Sequence, residues 1–381
     1  MTPTHRGPAR QAAQAIAQTV AQAVGKTVTR TAARGIRRAA TRSLRRTAVR
    51  VSIGLVASAA AYLLLPKRTR QRSVVVITGG SRGLGFALAE RYARAGAQLV
   101  LTARDPDELA EARHSLLERR VLRREEDLLL VPADLTDEQQ ASDLIAAALN
   151  TFGRIDILIN NAGIIEVGPA EDQTLDAYRR AIETNFYAAL YTTYAALPYL
   201  LARTEAAGPR ATRAAQAHIV NISSIGGKLP VPHLLPYTAS KFALTGFSEG
   251  LHAELRHKNI RVTTVCPGLM RTGGEIHAQF TGQIEKEKAW FTLAARTPIL
   301  AASVHRAASR IFHAVAAGRA EITITPQAWL AARLHGLSPE TTQRALALVN
   351  ELLMPPPAGT PEPVCNTKGA FWHQDHLSKA S

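Results

Sequence analysis

The sequence predicts an α/β fold in which a doubly wound, parallel sheet of seven strands is covered by helices on both faces. Short, continuous apolar runs recur along the chain, and stretches with helical periodicity separate them. A glycine-rich turn follows the first of these runs. Strands that are buried on both faces read as continuous apolar runs, so the alternation indicates βαβ units and a mostly parallel sheet.

The alternation begins at residue 73. The predicted strands are, in chain order, SVVVIT, QLVLT, LLLVP, IDILIN, HIVNIS, RVTTVCP and EITIT. The predicted helices cover residues 85–95, 105–120, 137–152, 175–202 and 239–257. Numbered in chain order, the strands are expected in the sheet order 3-2-1-4-5-6-7, with the site at their carboxyl ends. We therefore predict a Rossmann-like catalytic domain over 73–330, a helical extension over 331–354 and a disordered, proline-rich tail over 355–381.

Positive charge is concentrated in the amino-terminal segment, residues 1–72. This segment has fifteen Lys or Arg and no Asp or Glu, which leaves 31 basic and 30 acidic residues, a net charge of +1, for the rest of the chain. The basic character therefore belongs to the segment, and we expect no specific nucleic-acid partner. The uncharged run at 51–66 would span about 24 Å as a helix, against about 30 Å for a hydrocarbon core.

Three interpretations of this segment stay open. Arginines that flank 51–66 can snorkel and cover the deficit in length, which favours a transmembrane helix or another attachment to a membrane surface. An Arg-rich, acid-free composition is also typical of a transit peptide, whose cleavage would leave the mature chain in an organelle. The third is a disordered basic arm that binds anionic lipid or nucleic acid. Because the chain has only two cysteines, Cys266 and Cys365, we expect a reducing compartment such as the cytoplasm.

The turn after the first strand, TGGSRGLG at 78–85, has the composition of a phosphate-binding loop. Its glycines allow the backbone to turn tightly and to approach a pyrophosphate, whose charge is favoured by the amino terminus of the next helix. Its position between the first strand and helix of a βαβ unit supports this interpretation. The predicted nucleotide contacts in this loop are Gly79, Ser81, Arg82, Gly83, Leu84 and Gly85.

Five further motifs follow this turn in an order typical of one enzyme family. They are NNAG at 160–163, Asn185, Ser224 at the end of NISS, YTASK at 237–241, and Pro267-Gly268 with Thr272. From about residue 73 to 325 the chain resembles the short-chain dehydrogenase/reductase family, in its TGxxxGxG, NNAG and YxxxK branch. The resemblance implies a nicotinamide-dependent oxidoreductase that acts on CH–OH groups, assembled as a homodimer or homotetramer. It also implies nucleotide contacts by Asn161, Ala162, Gly163, Tyr237, Lys241, Pro267, Gly268 and Thr272.

The same residues account for hydride transfer in chemical terms. Transfer to a carbonyl leaves an alkoxide, so the site needs a proton donor and a group that holds the oxygen. Tyr237 can donate the proton, and the charge of Lys241, four residues on and on the same helix face, is expected to lower the phenol pKa from about 10. Ser224 can hold the substrate oxygen. By resemblance, Asn185 binds a water that links the lysine to a proton relay.

The residues after the second strand favour NADP(H) over NAD(H). Ala103 occupies the place of the aspartate of NAD-preferring relatives, and Arg104 comes next. Arginine suits a 2′-phosphate, and Arg82 is a second candidate for that contact. The alternatives are that Arg104 only caps or covers the following helix and that Asp105 turns to a 2′-hydroxyl. Asp134, after the third strand, matches the family position that contacts adenine.

The residues expected around the substrate are mostly apolar, which suggests a lipophilic alcohol or carbonyl compound. They are Gly226, Gly227, Leu229, Val231, His233, Leu234 and Leu235, with a flap over 269–291. Several of them are equally well explained as core or dimer contacts. His233 is either a substrate contact or, as we favour, a loop residue without a role, and no metal site is expected. The alternative function is a non-catalytic, nucleotide-binding redox sensor or scaffold that is tethered to a membrane.

Overall fold

The structure, a computed structural model, describes residues 72–206, 208, 216–271, 277–296 and 301–359. The amino-terminal segment up to residue 71, with the candidate span at 51–66, lies outside the described residues, as do Thr272 and the tail from residue 360. What was predicted for these residues therefore stays a prediction. Among the described helices, none is both long and apolar enough to cross a membrane.

Seven of the described strands form one sheet. In chain order, the strands are β1 (Val74–Thr78), β2 (Gln98–Ala103), β3 (Leu128–Pro132), β4 (Ile157–Asn160), β5 (Glu166–Val167), β6 (Ala217–Ile222), β7 (Ile260–Cys266), β8 (Met270–Arg271), β9 (Gln279–Phe280), β10 (Ala302–Ser303) and β11 (Glu321–Thr323). The sheet order is β3-β2-β1-β4-β6-β7-β11, and every neighbouring pair is parallel. This is the predicted order, so the fold prediction is confirmed.

Helices join the strands of the sheet and continue beyond the last one. They are α1 (Gly83–Arg94), α2 (Pro106–Glu118), α3 (Glu138–Phe152), α4 (Leu175–Ile182), α5 (Ala188–Ala206), α6 (Leu235–Leu255), α7 (Ile284–Arg296), α8 (Val304–Ala316), α9 (Pro326–Leu337) and α10 (Pro339–Leu353). The local sequence explains where α2 and α3 begin, because Asp105 and Asp137 accept hydrogen bonds from backbone N–H groups of their first turns.

The helix predicted over 175–202 differs from the structure in one respect. A π-helical turn, Glu183–Tyr187, joins α4 to α5, and α5 continues to Ala206. Such a turn adds one residue to the helical repeat and is frequent at functional sites. Asn185 lies at its centre. The apolar pattern does not signal the π turn, because helix continues on both sides of it.

The core has two layers, one on each face of the sheet. Val75 and Ile77 of β1 belong to the layer formed with α1, α2 and α8, whereas Val74 and Val76 belong to the layer formed with α3, α5 and α6. Successive strand residues point to opposite faces, and all four of these side chains are fully buried. Burial on both faces explains the unbroken apolar run. Because the strands are all parallel, their carboxyl ends lie along one edge of the sheet.

A cap of short elements covers part of that edge. β5 pairs with β9 in parallel, so that Glu166 lies beside Gln279, and β8 pairs with β10. The helix α7, which we call the lid helix, follows β9. A third apolar cluster, formed by Val167, Leu234, Phe280 and Phe291, joins the lid helix to β5, to β9 and to the segment before α6. The cap thus brings together segments that are far apart in the chain.

Candidate active site

The glycine turn joins the end of β1 to the start of α1. Gly79 and Gly83 have φ values of +61° and +57°, which residues with a side chain rarely adopt. At Gly85 a Cβ would lie 2.0 Å from the carbonyl oxygen of Gly79, so this position has no room for a side chain. The Arg82 side chain makes no capping hydrogen bond, and the first turn of α1 has no acidic residue. The N–H groups of this helix terminus are therefore suited to a phosphate.

The NNAG motif supports the glycine turn from the end of β4. The Thr78 hydroxyl accepts hydrogen bonds from the backbone N–H groups of Asn161 and Ala162, both at 2.9 Å. The Asn161 side chain donates to the carbonyls of Thr78 at 2.9 Å and Gly79 at 3.0 Å. Asn161, Ala162 and Gly163 also line the cavity. Asn161 therefore serves the nucleotide site partly by holding the glycine turn in place.

Ser224, Tyr237 and Lys241 come together at one wall of the cavity. Ser224 follows β6, and its hydroxyl accepts a hydrogen bond from the Gly226 N–H at 3.0 Å and is hydrogen-bonded to the Tyr237 phenol. Lys241, one helical turn further along α6, is 4% exposed. Its ammonium group donates to the Ile222 carbonyl at 2.9 Å and lies 5.7 Å from the centroid of the Tyr237 ring. The groups that hydride chemistry requires are thus adjacent.

Burial governs the protonation of two of these groups. It lowers the pKa of Lys241 to about 8, because a buried ammonium loses its hydration. It raises the pKa of Tyr237, and the hydrogen bond with Ser224 offsets only part of that increase. The net shift of the Tyr237 pKa is therefore upward, opposite to the expected lowering, because desolvation of the phenolate dominates. Tyr237 stays protonated near neutral pH, the form from which it can donate.

Asn185 is 1% exposed within the π turn. Its carboxamide oxygen accepts from the Ile164 N–H at 2.8 Å, and its amide group donates to the Ile164 carbonyl at 3.0 Å and to the Ser240 hydroxyl at 2.8 Å. The side chain therefore clamps the segment after NNAG to α6, the helix of Tyr237 and Lys241. Protein groups engage both polar atoms of the side chain, and the bound water that the resemblance implies stays a prediction.

Two arginines line the cavity, Arg104 directly after β2 and Arg82 directly before α1. Arg104 is exposed and lines the cavity. Arg82 forms an ion pair with Glu108 of α2, and the Ser81 hydroxyl donates to the same carboxylate at 3.0 Å. Asp105 is the cap of α2, which disfavours both the contact of Asp105 with a 2′-hydroxyl and a capping role for Arg104. The sequence did not single out Glu108, because an acidic residue in a first helical turn is ordinarily explained by the helix dipole.

The other predicted nucleotide contacts lie at the ends of β3 and β7. Asp134 lines the cavity, and its carboxylate accepts from the Thr136 N–H at 3.0 Å and the Thr136 hydroxyl at 2.8 Å. The cap of α3 is Asp137, as noted above, so Asp134 is not required for that purpose. Pro267 and Gly268 line the cavity at the end of β7.

One cavity of about 1370 Å³ is lined both by predicted nucleotide contacts and by residues expected around the substrate, although Gly85 is not among its described lining residues. Of the residues predicted around the substrate, Gly226, Val231 and Leu234 line it, whereas the other four are absent from the described lining residues. The flap contributes Leu269 and Met270, and the lid helix contributes Ile284, Glu285, Lys288, Trp290 and Phe291. Ile164 and Ile165, directly after NNAG, also line the cavity and were not predicted, although their apolar character was visible in the sequence.

His233 has neither of the two roles considered for it. It is buried with a φ of +59°, and its Nδ1 lies 2.8 Å from Oε1 of Glu287, which is fully buried on the lid helix. The Trp290 indole donates to the other oxygen of Glu287 at 2.6 Å, and the Gly168 N–H donates to the His233 carbonyl at 2.7 Å. His233 therefore links the lid helix to the segment that leads into Tyr237.

Fold and site together define an oxidoreductase-type domain with a nucleotide half and a substrate half. The family model described as short chain dehydrogenase matches residues 73–279. The chain therefore belongs to the short chain dehydrogenase family, as the motifs predicted.

Relatives of known name and structure agree with this assignment. A dehydrogenase/reductase SDR family protein 7-like of Anopheles gambiae is 38% identical over 205 residues, 54% of this chain and 61% of that protein. The chain spans 59–61% of the length of three curated relatives it matches. A short chain dehydrogenase/reductase of Burkholderia phymatum, in complex with NAD, is 26% identical with a TM-score of 0.63, covering 71% of this chain and 95% of that chain. An actinorhodin polyketide ketoreductase with NADPH is 26% identical with a TM-score of 0.56, covering 67% and 97%.

Proposed function

We propose that this protein is an NADP(H)-dependent oxidoreductase that passes a hydride between nicotinamide and a lipophilic alcohol/carbonyl pair. The observation that carries the proposal is the meeting of Ser224, Tyr237 and Lys241 in the same cavity as the glycine turn. A structural glycine turn or a surface Tyr-xxx-Lys would not require this convergence.

The residues of the nucleotide half fit a nicotinamide dinucleotide. The glycine turn supports this fit. Gly85 has no side chain there, and no side chain caps the first turn of α1, so backbone N–H groups are left for a phosphate at the cavity. In the proposal these groups hold the pyrophosphate, Asp134 contacts the adenine, and Lys241 is a further contact of the nucleotide. When bound, the dinucleotide supplies or accepts the hydride.

The protein groups then manage the oxygen and its proton. Ser224 donates a hydrogen bond to the carbonyl oxygen of the substrate and places it beside the Tyr237 phenol. Tyr237 transfers its proton to that oxygen as negative charge develops there, and the C=O group becomes CH–OH. Lys241, charged below pH 8 or so, stabilises the phenolate that remains. Because burial raises the Tyr237 pKa, the phenol is protonated at neutral pH, which is the form that donates a proton in carbonyl reduction.

The preference for NADP(H) rests on Arg104 and Arg82. Arg104 is exposed toward the cavity, where a 2′-phosphate would be met by a guanidinium. The Glu108 carboxylate opposes the preference by neutralising Arg82. Solved relatives include one with NAD and one with NADPH, so the family permits either nucleotide.

The lipophilic substrate class rests on the lining of the substrate half. Ile165, Val231, Leu234, Trp290 and Phe291 are among its side chains. Apolar walls of this kind bind by excluding water from apolar groups, and a few polar groups then orient the reacting oxygen.

Assembly and location are part of the proposal. Exposed aromatic side chains on the π turn, α5 and α6 support a homodimer or homotetramer through these helices; they are Tyr187, Tyr194, Tyr199 and Phe242.

The acid-free, basic composition of residues 1–72 supports attachment to a membrane surface, with the catalytic domain in a reducing compartment. Sedimentation with anionic vesicles is then expected to require residues 1–71. Import into an organelle after cleavage of this segment is the alternative.

The deciding experiment measures oxidation of NADPH and NADH by the full chain with a panel of lipophilic aldehydes and ketones. We expect turnover with NADPH, and a loss of about 10²- to 10⁴-fold in kcat in Tyr237→Phe, the usual contribution of a positioned proton donor. Saturable NADPH binding is expected to persist in the variant. Binding without turnover in the native chain, across the whole panel, would instead favour the non-catalytic sensor or scaffold.

A further inference from the structure

Residues 355–359, which we call the C-terminal strap, are the part of the predicted tail that the structure describes. They follow α10 with the sequence Pro355-Pro356-Pro357-Ala358-Gly359. Consecutive prolines favour an extended, preorganised backbone and lack N–H groups. The N–H of Ala358 is therefore the first backbone donor after Met354.

That donor meets a buried carboxylate. The Ala358 N–H donates to Oδ2 of Asp172 at 2.7 Å, and Asp172 is 0% exposed. Within the described residues, Oδ1 of Asp172 has no hydrogen-bond partner, and Ala358 is the donor recorded for this carboxylate. A buried carboxylate without donors is unfavourable, and a hydrogen bond to an ionised acceptor is stronger than a neutral one. Detachment of the strap would therefore leave the buried Asp172 carboxylate without this donor, which is energetically unfavourable.

The strap also contacts the start of the lid helix. The Gln283 side chain, directly before α7, donates to the Pro356 carbonyl at 2.8 Å. Gly282 packs so tightly against Asp172 that a Cβ would lie 2.6 Å from its Oδ2. One turn into the lid helix, Glu287 is bound to His233. The strap and His233 therefore hold the residue before the lid helix and the first turn of that helix, whose side chains line the substrate half.

We propose that the C-terminal strap is a positioning element that holds the lid helix against the substrate half and so strengthens substrate binding. The kinetic test of this inference rests on the proposed function, whereas the structural role of the strap does not. Removal of the strap contact raises KM for the carbonyl substrate and leaves kcat and the Kd for NADPH within about twofold. The nucleotide half is unaffected because the glycine turn lies on β1 and α1, which the strap does not contact in the described residues.

The test compares Ala358→Pro with Ala358→Ser in the full chain. Proline removes the N–H at an exposed position that already follows three prolines, whereas serine keeps it. We expect Ala358→Pro to raise KM about tenfold, the effect of one lost charge-assisted hydrogen bond, and Ala358→Ser to behave as the native chain. Equal KM values for the two variants would overturn the proposal.

A second pair of variants and an activity-independent readout complete the test. A chain ending at Met354 lacks the strap, and a chain ending at Gly359 retains it. Amide hydrogen exchange over residues 279–291 is expected to be faster in the shorter chain and in Ala358→Pro. If the native chain turns over no substrate, the proposed function fails. The hydrogen-exchange rates then still test whether the strap holds the lid helix. Unchanged exchange in Ala358→Pro refutes the strap, even if the shorter chain does not fold.

Discussion

The nucleotide half and the substrate half of the cavity are built in different ways. The nucleotide half depends on backbone: positive φ at Gly79 and Gly83, and the lack of any side chain at Gly85. The substrate half depends on side-chain links between distant segments, such as His233 with Glu287. Adding a side chain to the glycine turn therefore causes a steric clash that displaces the backbone. Replacing one side chain in the substrate half removes a single contact and leaves the others in place.

The largest expected effect is in the nucleotide half. Gly85→Ala would place a Cβ 2.0 Å from the Gly79 carbonyl, so the turn must open. We expect the Kd for NADPH, measured by fluorescence titration, to rise about 100-fold or more, because misplaced N–H groups lose a charged ligand. The control is Gly250→Ala on α6, where an added Cβ would meet no atom within 4 Å. Helix propensity predicts a small gain in stability for this variant. Native-like NADPH affinity in Gly85→Ala would show that the turn is not the phosphate site.

A smaller effect is expected where the two halves meet, at Lys241. Burial lowers its pKa to about 8, so its charge is present below that pH and is lost above it. Tyr237, with a raised pKa, remains a donor over the same range. Carbonyl reduction is therefore expected to fall by about tenfold per pH unit above pH 8 or so, as measured by kcat against pH. In Lys241→Met the residual rate is expected to be independent of pH between roughly 7 and 9, and a sloping profile there would assign the titration to another group.

The smallest effect concerns the choice of nucleotide. Glu108→Gln removes the charge that neutralises Arg82 and keeps a hydrogen-bond acceptor for Ser81. The ratio of kcat/KM for NADPH to that for NADH is expected to rise about fivefold, the scale of an exposed charge interaction. Glu111→Gln, an exposed change on the same helix, serves as the control. If the ratio falls or stays constant in Glu108→Gln, Arg82 does not contribute to the preference.

Much of the nucleotide half was predictable because its determinants are local. The glycine turn, NNAG and YTASK are contiguous runs, and the two periodicities that define strands and helices are local as well. The family and the order of the seven strands were confirmed on these grounds. The expected lowering of the Tyr237 pKa failed, because the sequence shows which charge is nearby but not how much water is excluded.

The sequence by itself determined the class of fold, the glycine turn and the identity of the Ser, Tyr and Lys that meet in the cavity. Tertiary structure decided which partners the remaining polar groups take. Arg82 pairs with Glu108 over 26 residues, His233 with Glu287 over 54, and Ala358 with Asp172 over 186. A short motif specifies backbone conformation through φ and side-chain volume. A partner far along the chain depends on how the packed elements are arranged, and no local pattern encodes that arrangement.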